Sequence, residues 1–264
     1  MGTSSTGLTG KVALVTGGGR GIGRAIALAL ARAGAGVAVA ARTRSQLEAV
    51  AAEIARLDGA SAFPQELDVT DPGSIPHALG RITAALGPID ILVNNAGLAV
   101  SAPLSETNLE LWERHVRVNL TGPYLLTQAV LPRMLERRWG RIINIAATAG
   151  KQGFAQATAY TASKHALVGF TRALALELAQ HGITVNAVCP GFAATDLVWE
   201  SARRIAEKTG RSYDEAVQSL ASFSPQKRLI EPEEVARVAV MLASEGARGI
   251  TGQAIVVDGG AVQS

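Results

Sequence analysis

The chain has one cysteine, Cys189, and so can form no internal disulfide, which fits a reducing compartment. Aromatic residues make up only 4% of its 264 residues, so aliphatic side chains and alanine must fill the core. It carries no long basic run and no aromatic–basic alternation. Its 25 Lys/Arg are interleaved with 22 Asp/Glu for a net charge of +3, which removes the electrostatic footprint of a nucleic-acid binder. The apolar stretch from Ala25 to Ala41 is broken by Arg32 and by glycines and is no membrane span. Residues Met1 to Gly10 are small and polar, without the apolar centre of a signal peptide. No metal site, membrane or nucleic-acid partner is expected. The expectation is a soluble cytoplasmic enzyme, long enough to bury a substantial core in one domain spanning residues 1–264.

What is plentiful is glycine, with 28 residues, set among short apolar runs and alanine-rich helical patterns. Val12 to Thr16, Gly36 to Ala40, Ser61 to Leu67, Ile89 to Asn94, Arg141 to Ala146, Thr184 to Cys189 and Ala254 to Asp258 read as strands. Most are apolar almost throughout, as parallel strands buried on both faces are. Ile22 to Ala33, Ser45 to Leu57, Ser74 to Leu86, Ala159 to Gln180 and Glu233 to Ala243 read as helices. Pro232-Glu233-Glu234 places proline and acids in a first helical turn, where both are favoured. Strand–helix alternation predicts an α/β fold, a Rossmann-type doubly wound parallel sheet of about seven strands with right-handed crossovers. One long interruption, from Thr195 to Arg228, carries helical patterns at Val198 to Thr209 and Tyr213 to Ala221. Insertions of that length are usually functional, and residues 196–228 read as a substrate lid, with a surface or oligomer-packing excursion as the alternative.

The first strand runs directly into Thr16-Gly17-Gly18-Gly19-Arg20-Gly21-Ile22-Gly23, which opens the first helix. Glycines there permit a tight turn and close approach of the backbone to a pyrophosphate on the helix N-terminus. Between strand and helix at the head of an α/β chain, the motif points to a dinucleotide. An NAD site places a carboxylate at the end of strand two for the ribose 2′-hydroxyl. Here that end reads Ala40-Ala41-Arg42-Thr43, with no acid, and Arg20 is a second cation near the same ribose. Two arginines without an acid suit a 2′-phosphate, so NADP(H) is the expected cofactor.

Tyr160 and Lys164 stand at i and i+4 and share one helix face. An ammonium beside a phenol favours the phenolate, so the tyrosine's pKa, ordinarily about 10, is expected to fall toward neutrality. That pair can give a proton to a carbonyl or take one from an alcohol.

Taken together, these residues resemble the short-chain dehydrogenase/reductase family over nearly the whole chain, from Lys11 to Gly260. The motifs that carry the resemblance are Thr16 to Gly23, Asp68-Val69, Asn94-Asn95-Ala96-Gly97, Asn119, Tyr160-x-x-x-Lys164 and Pro190-Gly191. It implies that Asp68 and Val69 lie at the adenine, and that Asn95, Ala96 and Gly97 support the adenine ribose. Pro190, Gly191, Ala193 and Thr195 would close over the nicotinamide amide. Lys164 would also bind the nicotinamide ribose, and Asn119 would hold a water joining the lysine to solvent. Gly140 to Ile145 and Thr148 to Gly153 are similar to β-ketoacyl and aromatic polyketide ketoreductases, which implies an acyl thioester, polyketide or similar hydrophobic carbonyl, carried by a carrier protein or CoA. Arg133, Arg137 and Arg138 form a cluster that could dock a carrier or simply be a solvated helix end. Phe192, Leu197, Val198 and Trp199, with Thr148, are candidate substrate contacts or core packing. The family implies a homo-tetramer through the helices holding Asn119 and Tyr160.

The same resemblance exposes a departure. The family carries a serine, donating to the substrate oxygen, where this chain has Ala147, thirteen residues before Tyr160. Three readings stay open: a serine has been replaced, Thr148 supplies the hydroxyl, or the chemistry is impaired or repurposed. Against Thr148, alternation along a strand end should turn its side chain to the opposite face. The function is expected to be hydride transfer between NADPH and a ketone or secondary alcohol, the alternative being a non-catalytic NADPH-binding sensor or scaffold.

Overall fold

The computed structural model describes residues 7–263. In chain order its elements are β1 (Val12–Thr16), α1 (Gly21–Arg32), β2 (Gly36–Ala41), α2 (Arg44–Ile54), β3 (Ala62–Glu66), α3 (Ser74–Leu86) and β4 (Ile91–Asn94). Then come α4 (Leu109–Val116), α5 (Gly122–Arg137), β5 (Gly140–Ile145), α6 (Thr158–Leu178), β6 (Ile183–Pro190), α7 (Asp196–Thr209), α8 (Tyr213–Ala221), α9 (Pro232–Ala243) and β7 (Ala254–Val257). Seven parallel strands lie in the order β3-β2-β1-β4-β5-β6-β7. The order reverses between β1 and β4, which opens a crevice at the carboxyl ends of those two strands.

All seven strands read from the sequence are present, with ends shifted by a residue or two. The fourth starts at Ile91 rather than Ile89 because the Asp90 carboxylate turns in to accept the Val12 N–H at 2.9 Å. The helical stretch from Leu109 to Arg137 falls outside the segments named from sequence. Gly122, Pro123 and Pro132 dilute its pattern, and a π-helical turn, Arg117–Thr121, joins α4 to α5.

Alternate residues of each strand face opposite layers. Ala13, Val15, Val37, Val39 and Ile143 pack under α1, α2 and α9. Leu14, Ala38, Leu92, Ile142 and Val185 pack against α3, α5 and α6. The excursion after β6 has a small core of its own, in which Val198 and Ala202 of α7 meet Ala216 and Leu220 of α8.

A buried polar ladder fixes α6 on the sheet. Asn94 and Asn144 face each other across β4 and β5, and Asn94 Nδ2 donates to Asn144 Oδ1 at 2.9 Å. Asn144 Nδ2 donates to the Thr171 hydroxyl of α6, also at 2.9 Å, and that hydroxyl donates to the Leu167 carbonyl. Removing the middle member strands two buried partners. Asn144→Ala is therefore expected to lower stability by about 2 kcal/mol in urea melts, although the residue touches no cleft.

Candidate functional site

The crevice is a cleft of about 630 Å³. Thr16 ties its two walls together: its hydroxyl donates to Val93 O and accepts the N–H groups of Asn95 and Ala96. Asn95 Nδ2 in turn donates to the carbonyls of Thr16 and Gly17. The turn that follows needs its glycines. Gly17 has φ +62°, and a Cβ on Gly23 would run into the Gly17 carbonyl and the Asn95 amide. Arg20 precedes α1 without a side-chain cap, and Gly21, Ile22 and Gly23 line the cleft.

Most of the residues expected at a dinucleotide converge here. Gly17, Gly19, Arg20, Gly21, Ile22, Gly23, Arg42, Thr43, Asp68, Val69, Asn95, Ala96, Gly97, Tyr160, Lys164 and Thr195 all line the one cleft. Three do not: Pro190 ends β6 in the core, Ala193 is buried, and Gly191 lines a second, smaller cavity of about 30 Å³. Burial pushes the Asp68 carboxyl up, but the Thr70 N–H and hydroxyl, with the Arg42 charge, leave it below its ordinary value. Arg42 has no ion-pair partner among the described residues, whereas Arg20 pairs with Asp196 at the start of α7 (3.2 Å). Beside that pair, Gly21 packs so closely on Thr195 that a Cβ would stand 3.1 Å from its Cγ2.

Lys164 is 4% exposed, and its Nζ donates to the Ile145 carbonyl at 2.8 Å. It lies 5.9 Å from the centroid of the Tyr160 ring. The Tyr160 hydroxyl has no hydrogen-bond partner among the described residues. The expected fall in its pKa is not found. Burial pushes the phenol well above its ordinary value, with Cys189 adding to the rise, and pushes the Lys164 ammonium down to about 8. Asn119 sits fully buried in the π-helical turn, its Nδ2 donating to Leu98 O and to the Ser163 hydroxyl, its Oδ1 accepting the Leu98 N–H. Such turns recur at functional sites, and this one is invisible to a 3.6-residue pattern.

Ala147 follows the end of β5 in extended backbone and is 8% exposed. Ala146 lines the large cleft and Thr148 the small cavity, so Ala147 stands between the two. Thr148 thus opens on the small cavity and not on the cleft that Tyr160 and Lys164 line. Strand alternation stops at Ile145, a 3₁₀ turn begins at Thr148, and its side chain joins Gln152, Phe154 and Phe192 around the small cavity. Phe192 stacks with Phe154 and Phe223. Leu197 lines the large cleft instead, while Val198 and Trp199 belong to the packing between α7 and α8 and line neither space. Arg133 pairs with Glu136, Arg137 with Asp90, and Arg138 donates to Gln180 O, so each arginine of that cluster is already engaged. One helix face missing from the sequence reading, Glu110, Arg114 and Arg117, also lines the cleft. Its i, i+4, i+7 spacing was the available signal.

In water without added nucleotide, the unfolded chain keeps its lysine protons to about 10.5 while Lys164 loses its own near 8. The unfolded state therefore binds more protons across that window, and stability should rise as pH climbs from about 8 toward 10. Above 10 the raised Tyr160 reverses the trend, because the unfolded phenol ionises first. Lys164→Met should flatten the rise in pH-dependent denaturant melts.

Four similarities fall on this geometry. A family profile described as short chain dehydrogenase matches residues 11–206. The 3-oxoacyl-(acyl-carrier-protein) reductase of Aquifex aeolicus is 43% identical over 253 residues, covering 96% of this chain and 98% of that protein. The D-beta-hydroxybutyrate dehydrogenase of Cupriavidus necator is 39% identical over 255 residues, covering 96% and 98%. Among solved structures, a variant of actinorhodin polyketide ketoreductase crystallised with NADPH superposes with a TM-score of 0.92 at 41% identity, over 99% of each chain. No helix among the described residues is long and apolar enough to cross a membrane.

Proposed function

The chain belongs to the short-chain dehydrogenase family and is an oxidoreductase, and we propose that it reduces ketones with NADPH, or oxidises the matching secondary alcohols. The observation that carries this reading is the convergence of Tyr160, Lys164 and the glycine turn on one cleft, with the phenol hydroxyl left open. The cradle fits a dinucleotide. Gly23 has no room for a side chain, the first turn of α1 is uncapped, and the end of β2 offers Arg42 and no carboxylate. Bound there, the dinucleotide supplies the hydride.

The remaining work falls to the chain. Arg42, joined by Arg20 once it leaves Asp196, holds the 2′-phosphate, and the N–H groups opening α1 meet the pyrophosphate. Tyr160 gives the proton to the carbonyl oxygen in reduction and takes it back in oxidation. Lys164 brings a positive charge near that phenol, which favours the phenolate left when the proton goes to the carbonyl. Asn119 keeps the Leu98 main chain at the cleft wall. The substrate is an acyl thioester, polyketide or similar hydrophobic carbonyl, linked to CoA or a carrier protein. This is supported by the named relatives and by the phenylalanines beside Thr148. Leu220 and Phe223 reach the same cavity from the excursion after β6, which supports its role as a lid. A cytoplasmic homo-tetramer completes the proposal, supported by Tyr124 and Leu176, which are exposed on the outer faces of α5 and α6.

Ala147 withholds the donor that would polarise the carbonyl. Thr148 is the substitute favoured by its place on the small cavity. NADPH oxidation against acetoacetyl-CoA and a panel of hydrophobic cyclic ketones tests the whole reading. Ala147→Ser is expected to raise kcat on the order of a hundredfold, and Tyr160→Phe to abolish turnover. Activity in neither the chain nor the serine variant would leave an NADPH-binding scaffold. Wild-type turnover that vanishes in Thr148→Val would identify the substitute donor. For the cofactor, Arg42→Glu should weaken NADPH binding about tenfold or more in fluorescence titrations while sparing NADH. Equal loss for both would remove Arg42 from the 2′-phosphate.

A further inference from the structure

Helix α4 carries a buried histidine that the chemistry above does not use. His115 has no exposed surface. Its Nδ1 lies 2.8 Å from the Leu111 carbonyl and can only donate to it, so Nε2 keeps its lone pair and accepts the Val100 N–H at 3.1 Å. Those two bonds assign a neutral ring in one tautomer. Burial holds the ring's pKa below its ordinary value, with the Arg114 charge adding to the effect against the Leu111 bond. The ring also stands edge-on to Tyr160, with centroids 6.3 Å apart and planes at 67°, a favourable aromatic geometry.

The segment after β4 shows why a side-chain acceptor is needed there. Residues 98–100 belong to no helix or strand, yet they are half-buried and their backbone groups need partners. Asn119 takes both the N–H and the carbonyl of Leu98. His115, one turn earlier on the same face, takes the N–H of Val100. Two residues further on, the Ala102 N–H donates to Gln156 O at 2.8 Å, four residues before Tyr160. The loop is thus fastened from α4 across to the approach to α6, and the histidine touches both the loop and the phenol.

We propose that His115 is a positioning residue that holds the loop at Val100 and the Tyr160 ring as a single unit, so that the phenol presents its hydroxyl to the carbonyl in one orientation. This rests on the reading of Tyr160 as proton donor. Asn119 and Lys164 act at the other edge of the unit, on Leu98 and on Ile145.

Two substitutions separate the ring from the acceptor. His115→Phe keeps an aromatic edge against Tyr160 but cannot accept the Val100 N–H; His115→Gln places an acceptor where Nε2 was and removes the ring. Hydrogen exchange at the Val100 amide is expected to quicken about tenfold or more in the phenylalanine variant and to stay near wild type in the glutamine variant. With acetoacetyl-CoA and NADPH, kcat should fall about tenfold in both, since each loses half of the unit, with the Kd for NADPH unchanged. Wild-type kcat in both variants, or a lowered Tm with wild-type kcat, would reduce His115 to packing and overturn the proposal. If the phenylalanine variant does not fold, the glutamine variant decides by kcat against Kd. If neither the chain nor Ala147→Ser reduces a ketone, the functional reading fails by itself. The positioning claim is then decided by Val100 exchange and by the ¹⁹F line of fluorotyrosine at position 160, which should shift in His115→Gln.

Discussion

The Thr16 hydroxyl binds three backbone groups of the neighbouring strand segment at once: it donates to Val93 O and accepts from Asn95 and Ala96. It does so at the point where the sheet reverses its strand order. β1 runs on into the glycine turn and β4 into the loop that borders Tyr160, so the two halves of the site leave from one polar contact. A buried hydroxyl with its partners all satisfied is rigid, because any departure leaves several main-chain groups without a partner in a water-poor place. From there rigidity spreads outward through side chains to main chain: Asn95 to Gly17, Asn119 to Leu98, His115 to Val100.

Local chemistry was legible in the sequence and distant packing was not. The glycine turn is a contiguous string between a strand and a helix, and Tyr160 and Lys164 lie one helical turn apart, so neither needs any knowledge of the rest of the chain. The strands were legible because burial on both faces leaves them apolar throughout. Trp199 stayed open between substrate contact and core packing because the cluster it packs against is completed by a second helix whose docking no periodicity reveals. His115 carried no signal at all: a lone histidine in Glu110 to Val116 reads as surface charge, and only the return of the loop at Val100 gives it a partner.

The electrostatics of Tyr160 and Lys164 also could not be read from spacing. Placing an ammonium one turn from a phenol suggests mutual stabilisation, but both groups leave water, and the loss of hydration acts on each of them first. The arrangement stores charge reluctantly. On the proposed reading Ala147, just past the end of β5, amounts to one absent donor rather than an absent site.

The contact between Arg20 and Asp196, with Gly21 seated against Thr195, has a thermodynamic consequence. It makes the phosphate-facing turn and the entrance to α7 neighbours that share one interface. Any coupling the contact carries is reciprocal: a ligand on the turn that favours one posture of the excursion binds more tightly, by the same factor, when the excursion holds that posture.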